Sequence, residues 1–423
     1  MIAALVALLF FGATFPLYGV SSASPNNPGP VVCTMTYSPS SFSSFTPISI
    51  NSPGTYCFEA GTYNTQITVT SNNVTLAAAP GTSPGQVVIE PTALSTTVQD
   101  PDTGLPEAPI ILVQGATDVI IQGLTVNGTL GAPTSCSPGY IGILFLGASG
   151  EVVDSAVVNI NLQNVNLYGC QTGNGILVES PPSQSSTVTI VDNNVVGYQK
   201  NGITCNDQGT TCVVKHNTVS ALTAAQPYIA PNGIQIALGA VGLVTGNTVS
   251  GNECDLASIC GPNYITQTQG SGILTYESGQ GTVIRHNTVE GNDIGILSYG
   301  GVAELIGNVV QNNRFEGIYL SDGNFASTGN MITGGNIGIA VVSDGFVDNP
   351  TVVTIHGPPT PPGAPNSATS NTFAVSATQA VAYTGAPYGG SYTEPIYLTI
   401  NGFSETITPG SSATPSFVNI GQL

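Results

Sequence analysis

The chain has 423 residues, 41% of them hydrophobic, enough for one large buried core or two to three ordinary ones. Only 4 Lys and Arg stand against 23 Asp and Glu, and the net charge of −19 excludes nucleic acid and anionic lipid surfaces as partners. So few basic groups leave little self-repulsion once carboxylates are protonated, so the composition fits an acidic exterior as well as an ordinary secreted acidic protein.

In chain order, residues 1–20, "MIAALVALLFFGATFPLYGV", are apolar and lead into the small-residue stretch "SSAS". We read 1–23 as a secretory signal cleaved after Ala23, with no basic n-region. An uncleaved membrane anchor is the alternative, and no other membrane contact is expected. Residues 24–64 are expected to form an N-terminal cap. Eight cysteines fit an exported protein, and their spacing suggests the local pairs Cys33–Cys57, Cys136–Cys170, Cys205–Cys212 and Cys254–Cys260, although sequence does not fix connectivity. No C-x2-C pair is present and the three histidines lack zinc-ligand spacing, so no structural metal is expected.

From 65 to 390 the chain repeats itself. An asparagine-led phrase such as "GNTVSGN" recurs with its asparagine at Asn194, Asn217, Asn247, Asn287, Asn308 and Asn330, and Asn371 fits the same frame. A Gly-Ile phrase runs in step, at Gly142, Gly175, Gly202, Gly233, Gly272, Gly295, Gly317 and Gly338. The shortest asparagine intervals are 21–23 residues, a solenoid period, and the longer ones read as insertions at turns. Segments such as "GTVIRHNTVEGN" alternate by strand logic, and no long helical pattern follows the signal. Each repeat is therefore one coil of about three short strands, stacked at roughly 4.8 Å. The asparagines are expected at tight corners with left-handed backbone, hydrogen-bonded in a ladder. The apolar residue two positions later (Val196, Val219, Val249, Val289, Val310, Ile332, Phe373) should face the core, as should a stack of Ile203, Ile234, Ile273, Ile296, Ile318 and Ile339. Leu124 and Val165 occupy the asparagine position in two early coils. "HGPPTPPGAPNS" (356–367) reads as a loop within a late coil, and 391–423, with "PIYLTI" and "PSFVNIG", as a C-terminal strand or cap.

The Asn-Thr-Val and Asn-Gly-Ile phrases resemble the repeats of the pectate-lyase-like superfamily, and the opening "TYCFEAGTYNTQITVTSNNVTLAAAPG" (55–81) is similar to the way such helices begin. The resemblance implies an all-β fold, a right-handed parallel β-helix of about ten coils with N- and C-terminal caps, near 50 Å long. The same fold carries lyases, hydrolases, esterases, epimerases, adhesins and accessory proteins, so function must be argued from a site.

Two outward columns are candidates. After the Gly-Ile phrase, positions +2 and +4 face outward, giving Leu274/Tyr276, Leu297/Tyr299 and Tyr319/Ser321. Tyr276, Tyr299 and Tyr319 would form a strip on which sugar rings stack, unless a loop or the C-terminal segment covers it. Ahead of the asparagine, Asp192, Lys215 and Arg285 share a second column with His216 and His286 beside it. The resemblance implies, for polysaccharide lyases, a basic residue that removes a proton beside an acidic sugar carboxylate, often with Ca2+ held by Asp or Glu. Exposed ion pairing between coils explains the same residues. The hydrolase patterns Asn-Thr-Asp, Asp-Asp, Gly-His-Gly and Arg-Ile-Lys are absent, and no pair of glycosidase carboxylates can be picked out. Glu179, Glu277, Asp322 and Asp344 are explained by turn preference. Asn73 and Asn127 match the glycosylation sequon. The expectation is an exported β-helix at the cell surface or beyond, without catalysis or cofactor, that binds polysaccharide or contributes to an adhesive layer. The alternative is a polysaccharide lyase or related carbohydrate enzyme, for which Ca2+ becomes a cofactor. A copper-accessory role is disfavoured by three His and three Met.

Overall fold

The computed structural model describes residues 32–408, except 84, 96–97, 222–229, 256–257, 262–266, 336, 344–348, 357–371, 374–379, 385–393 and 401–402. Each coil runs through three strands in a fixed order, and each strand pairs in parallel with its counterpart one coil on. Taking the coil from Asn174 as an example, the first sheet receives Asn174–Glu179, the second Ser186–Val191 and the third Asn194–Val196. The result is a right-handed parallel β-helix, with eleven strands in the third sheet among the described residues.

The lumen is filled by aliphatic stacks, one per sheet. Ile176, Ile203, Ile234, Ile273, Ile296, Ile318 and Ile339 are in direct register in the first sheet, and all are fully buried. Val157, Val195, Val219, Val249, Val289 and Val310 form the matching stack of the third sheet. This packing explains the glycine before each isoleucine. A Cβ on Gly233 would stand 2.5 Å from the Gly272 carbonyl oxygen and 2.2 Å from Val249 Cγ1. The column from Gly142 to Gly317 meets the third-sheet valines or isoleucine and the next coil's backbone in the same way, so only glycine lets those two sheets close on each other.

The asparagine ladder is present, displaced by one residue at its start. Asn193, not Asn194, leads it: Oδ1 of each asparagine accepts from both the backbone N–H and Nδ2 of the one before, through Asn193, Asn217, Asn247, Asn287, Asn308 and Asn330. Asn194 is exposed and begins the third-sheet strand, and Val195 rather than Val196 enters the core. The left-handed residue is not the asparagine. It is the residue before it: Asp154, Asp192, His216 and His286 have φ of 48–56°, and Gly246, Gly307 and Gly329 take the same place in other coils. The ladder ends upstream at Ser155, aligned with Leu124. Val165 is not in this column; it belongs to the short 3-10 helix Val165–Leu167 and is exposed. A second ladder, Asn252–Asn292–Asn313, lies after the third sheet and receives the Tyr198 hydroxyl.

The parallel ladders begin before residue 65. Ile48–Ile50 pairs with Ile67–Val69 and Gly61–Tyr63 with Val87–Ile89, so the region read as a cap already supplies strands to the stack. Tyr37, Phe42, Phe58 and Tyr63 pack ring against ring at this end. At the other end Ile396–Ile400 pairs with Thr351–His356 and turns back on Phe403–Ile407, which is antiparallel and occupies the strand's free edge. Asn371, most of 356–367, "PSFVNIG" and the apolar residues 1–20 lie outside the described residues. Among the described residues no helix is long and apolar enough to cross a membrane.

Cysteines pair as their spacing suggests: Cys33–Cys57, Cys136–Cys170, Cys205–Cys212 and Cys254–Cys260. Four disulfides point to a compartment outside the reducing cytosol. The loop bearing Cys254 is tied down by Asp293, whose Oδ2 accepts from the Cys254 and Gly270 N–H groups while Arg314 approaches its Oδ1 at 3.1 Å.

Candidate functional site

The outer face of the first sheet is the informative surface. Its outward column reads Leu144, Leu177, Thr204, Gln235, Leu274, Leu297 and Tyr319 in successive coils. Apolar residues flank a polar interruption two coils deep. There Asn232 donates to Asn201, Asn201 to Gln235, Gln235 to Asn206, and the Ser271 hydroxyl to Asn232, at 2.6–3.1 Å. This network is the floor of an open cavity of about 360 Å3.

Acids line the same cavity. Glu107 opens the strand Pro106–Gln114, Glu179 closes Asn174–Glu179, and Asp100 lies in the loop before Glu107. One carboxyl oxygen from each of the three lies within 4.8 Å of the others. That spacing by itself does not make a metal centre. Glu107 and Glu179 are 7% and 3% exposed. Oε2 of each is buried without a partner, as is Thr204 Oγ1 nearby. Burial first, and then the mutual charge of the neighbouring acids, raises both glutamates far above the ordinary carboxyl range. Asp207, just beyond the first-sheet strand of the next coil, accepts from Ser180 N–H at 3.3 Å, and burial followed by Asp102 raises it to about 6. Lys200 lines the cavity too; burial lowers it to about 8, and its Nζ donates to the Ala230 carbonyl at 2.9 Å. The cleft thus holds carboxylic acids that keep their protons near neutrality, beside amide and hydroxyl groups suited to hydrogen-bonding.

The residues expected from sequence fare unevenly. Tyr276 and Tyr299 stack in parallel, centroids 5.6 Å apart. Tyr299 and Tyr319 are nevertheless 2% and 0% exposed, packed with Ile294, Leu297, Ala340 and Val342 in a second apolar cluster outside the lumen. They face outward but offer no open stacking strip, and only Tyr276 remains partly exposed. Lys215 and Arg285 do share a column, through Thr245, on the second sheet. Asp192 falls outside it, because Val191 is the residue paired with Lys215. It stands instead at the left-handed corner with His216, 3.6 Å from Nδ1, both side chains more than half exposed. The imidazoles of His216 and His286 lie over Gly246 and Gly307, the corner glycines one coil on. Asp192, Lys215, Arg285, His216 and His286 therefore occupy the second sheet and its corner, and are not brought to the acidic cleft. Asn73 is an exposed left-handed corner residue. Asn127 is engaged: its Nδ2 donates to Glu90 at 2.7 Å, and its Oδ1 accepts from Thr129 and Asn159.

Sequence reasoning missed the cleft. The rule that places +2 and +4 after Gly-Ile outward, applied at Gly175, gives Leu177 and Glu179; at Gly202 it gives Thr204 and Asn206, and at Gly233 Gln235. That polar break in an apolar column was the available signal. Glu107 and Asp100 carry no repeat phrase and gave none.

No protein-family model matches the chain, and no curated protein matches it. Among solved structures it is similar to a GH136 lacto-N-biosidase from Eubacterium ramulus: 11% identity, TM-score 0.54, 82% of this chain and 62% of that one, so this chain spans less than two thirds of that protein. It is also similar to a variant of the periplasmic alginate epimerase AlgG (14% identity, TM-score 0.47, 84% and 76% covered). A third is an exopolygalacturonase from Thermotoga maritima (10% identity, TM-score 0.41, 89% and 88% covered). At 11% identity the likeness to the lacto-N-biosidase bears on the fold alone, the parallel β-helix.

Proposed function

We propose that the protein is an exported carbohydrate-active enzyme, working at or beyond the cell surface, whose site is the acidic cleft of the first sheet. The carrying observation is the pair Glu107 and Glu179, buried with carboxyl oxygens within 4.8 Å of each other in the wall of a cavity lined by Asn201, Gln235 and Asn206. A carboxyl held protonated is a general acid for a glycosidic oxygen, and a second carboxylate nearby serves as nucleophile or base. One carboxyl oxygen of each glutamate lies within 4.8 Å of one of the other, so the pair is no wider than the about 5–5.5 Å used in retaining glycoside hydrolysis. Asn and Gln side chains supply the donors and acceptors that sugar hydroxyls require. The cleft favours neutral glycans: the Lys200 ammonium that lines it is engaged by a backbone carbonyl rather than offered to a uronate.

A second reading, glycan binding without turnover, draws support from the burial that raises both glutamates and so leaves neither as an ionised base or nucleophile near neutrality. One experiment separates them. Neutral and uronic oligosaccharides are incubated with the protein, and new reducing ends and new unsaturated ends are quantified. The proposal expects reducing ends from neutral glycans, falling by about 100-fold or more in Glu179→Gln while binding persists. Binding with no turnover on any glycan selects the second reading, and unsaturated ends from uronates overturn both.

A further inference from the structure

The loop before Glu107 is a strap laid across the first sheet. Val98–Gln99 runs antiparallel to the start of Pro106–Gln114, and Val98 packs against the outer apolar cluster of Leu112, Ile141, Leu144, Leu146 and Leu177. The tip is a small self-bonded turn: Asp100 Oδ1 accepts from the Asp102 and Thr103 N–H groups, and Gly104 N–H donates to the Asp100 carbonyl. The strap borders the cleft on one side. On the other, Pro101 and Asp102 face Ser180, Gln184 and Asp207 across a second cavity of about 470 Å3.

We propose that residues 98–106 are a proton-operated clasp, closed over the cleft while the carboxyls between strap and wall are protonated and released when they ionise. The strap and its root carry Asp100, Asp102 and Glu107, and the wall carries Glu179 and Asp207. The cation lining the cleft, Lys200, gives its ammonium to a backbone carbonyl. Protonated, these groups can hydrogen-bond across the gap, where one carboxyl oxygen each of Asp100, Glu107 and Glu179 lie within 4.8 Å of one another. Ionised, they place up to five like charges in one partly desolvated crevice. The solenoid beneath is held by aliphatic stacks and amide ladders that do not titrate, so the strain falls on the strap. Burial raises Asp207 to about 6, and Glu107 and Glu179 ionise at higher pH. The clasp therefore loosens as pH rises from about 6 upward, and access to the cleft becomes a function of acidity.

This inference rests on the cleft being the working site, yet its test needs no glycan, so its failure leaves the turnover assay untouched. Hydrogen–deuterium exchange of the full chain, corrected for intrinsic rates, is compared at about pH 4 and about pH 8. Protection of the strap peptide should fall by about tenfold or more, while the strands Thr210–Lys215 and Thr248–Ser250 stay protected. The double variant Glu107→Gln/Glu179→Gln should keep the strap protected at the higher pH. If that variant does not fold, Asp100→Asn, on the strap itself, should move the loss of protection to higher pH. Equal strap protection at both pH values overturns the clasp. So does an unchanged pH response in the variants, or protection at high pH that Ca2+ restores and a chelator removes.

Discussion

Replacing Asn247 by alanine tests the ladder where its contribution is best defined. The side chain is 1% exposed and takes part in four bonds of 2.9 Å. Oδ1 accepts from Asn217 N–H and Asn217 Nδ2, and Nδ2 donates to the Val214 carbonyl and to Asn287 Oδ1. The backbone bond from Asn247 N–H to Asn287 Oδ1 survives the substitution. Each lost bond is worth about 1 kcal/mol net, and an orphaned buried N–H such as that of Asn217 costs a further 1–3 kcal/mol or so. Partial relaxation offsets some of this, leaving a loss of about 4 kcal/mol. Asn194→Ala is the control: it is exposed and outside the ladder, so its effect should stay within about 0.5 kcal/mol. Urea midpoints with unchanged slope give the two differences, and hydrogen exchange around Asn217 and Asn287 shows whether the loss is local, as expected in a stacked array. A cost below about 1 kcal/mol for Asn247→Ala, or equal costs at both sites, would refute the assignment of the ladder and its displaced start.

Gly233→Ala should destabilise by about 1–3 kcal/mol or more, because its Cβ meets a backbone oxygen and a valine methyl that are both locked in stacks; a neutral result in thermal melts would contradict the close approach. Asp207 binds its proton more tightly folded than unfolded, so its contribution is complete below about pH 4 and is lost as pH rises through about 6. The urea midpoint should therefore fall from about pH 4 to pH 7, the reverse of ordinary acid denaturation, and Asp207→Asn should flatten the fall. Alkylation without reduction should label none of the eight cysteines, read by mass spectrometry; a labelled Cys205 or Cys212 would contradict that bridge. Lys215→Ala and Arg285→Ala should leave any glycan turnover unchanged, since both stand on the second sheet; loss of turnover in either would move the site away from the acidic cleft.

The fold was legible because a solenoid writes the same physical requirement many times. Seven asparagines and eight Gly-Ile pairs in frame left little freedom, and the registers from Ile203 to Ile339 follow that frame residue for residue. The one-residue error at Asn194 arose where "DNNVV" offers two adjacent asparagines. Only the corner conformation of Asp192, shared with His216, decides between them. The same error drew Asp192 into the column of Lys215 and lent that column a catalytic look. The tyrosine strip failed for a different reason: alternation tells which side of a strand a residue faces, not how exposed it is there, and Tyr299 and Tyr319 face outward yet are buried. The acidic cleft was harder still. Glu179 obeys the repeat, but Glu107, Asp100 and Asp207 come from a strand start, a long insertion and a turn, and no period links them.

The placement of these acids follows from what the rest of the molecule does not need. Lumen stacks of Ile and Val, glycine contacts and amide ladders supply cohesion at any pH. Carboxyls are then free to gather without a neutralising cation, provided protons are available to them. A cluster of three acids within 4.8 Å, two of them buried, is costly when ionised and stable when it holds protons. A chain with 23 acids and 4 bases is consistent with the same condition throughout its surface, where neutral carboxyls would leave almost no charge. Composition and cleft therefore point the same way: an acidic environment, which would suit the surface, would also protonate Glu107 and Glu179 and, on the proposed reading, keep the strap in place. The stability maximum on the acidic side, expected from Asp207, is the measurement that binds these two scales together; a maximum near neutrality would separate them and leave the cluster as a local feature without counterpart in the chain.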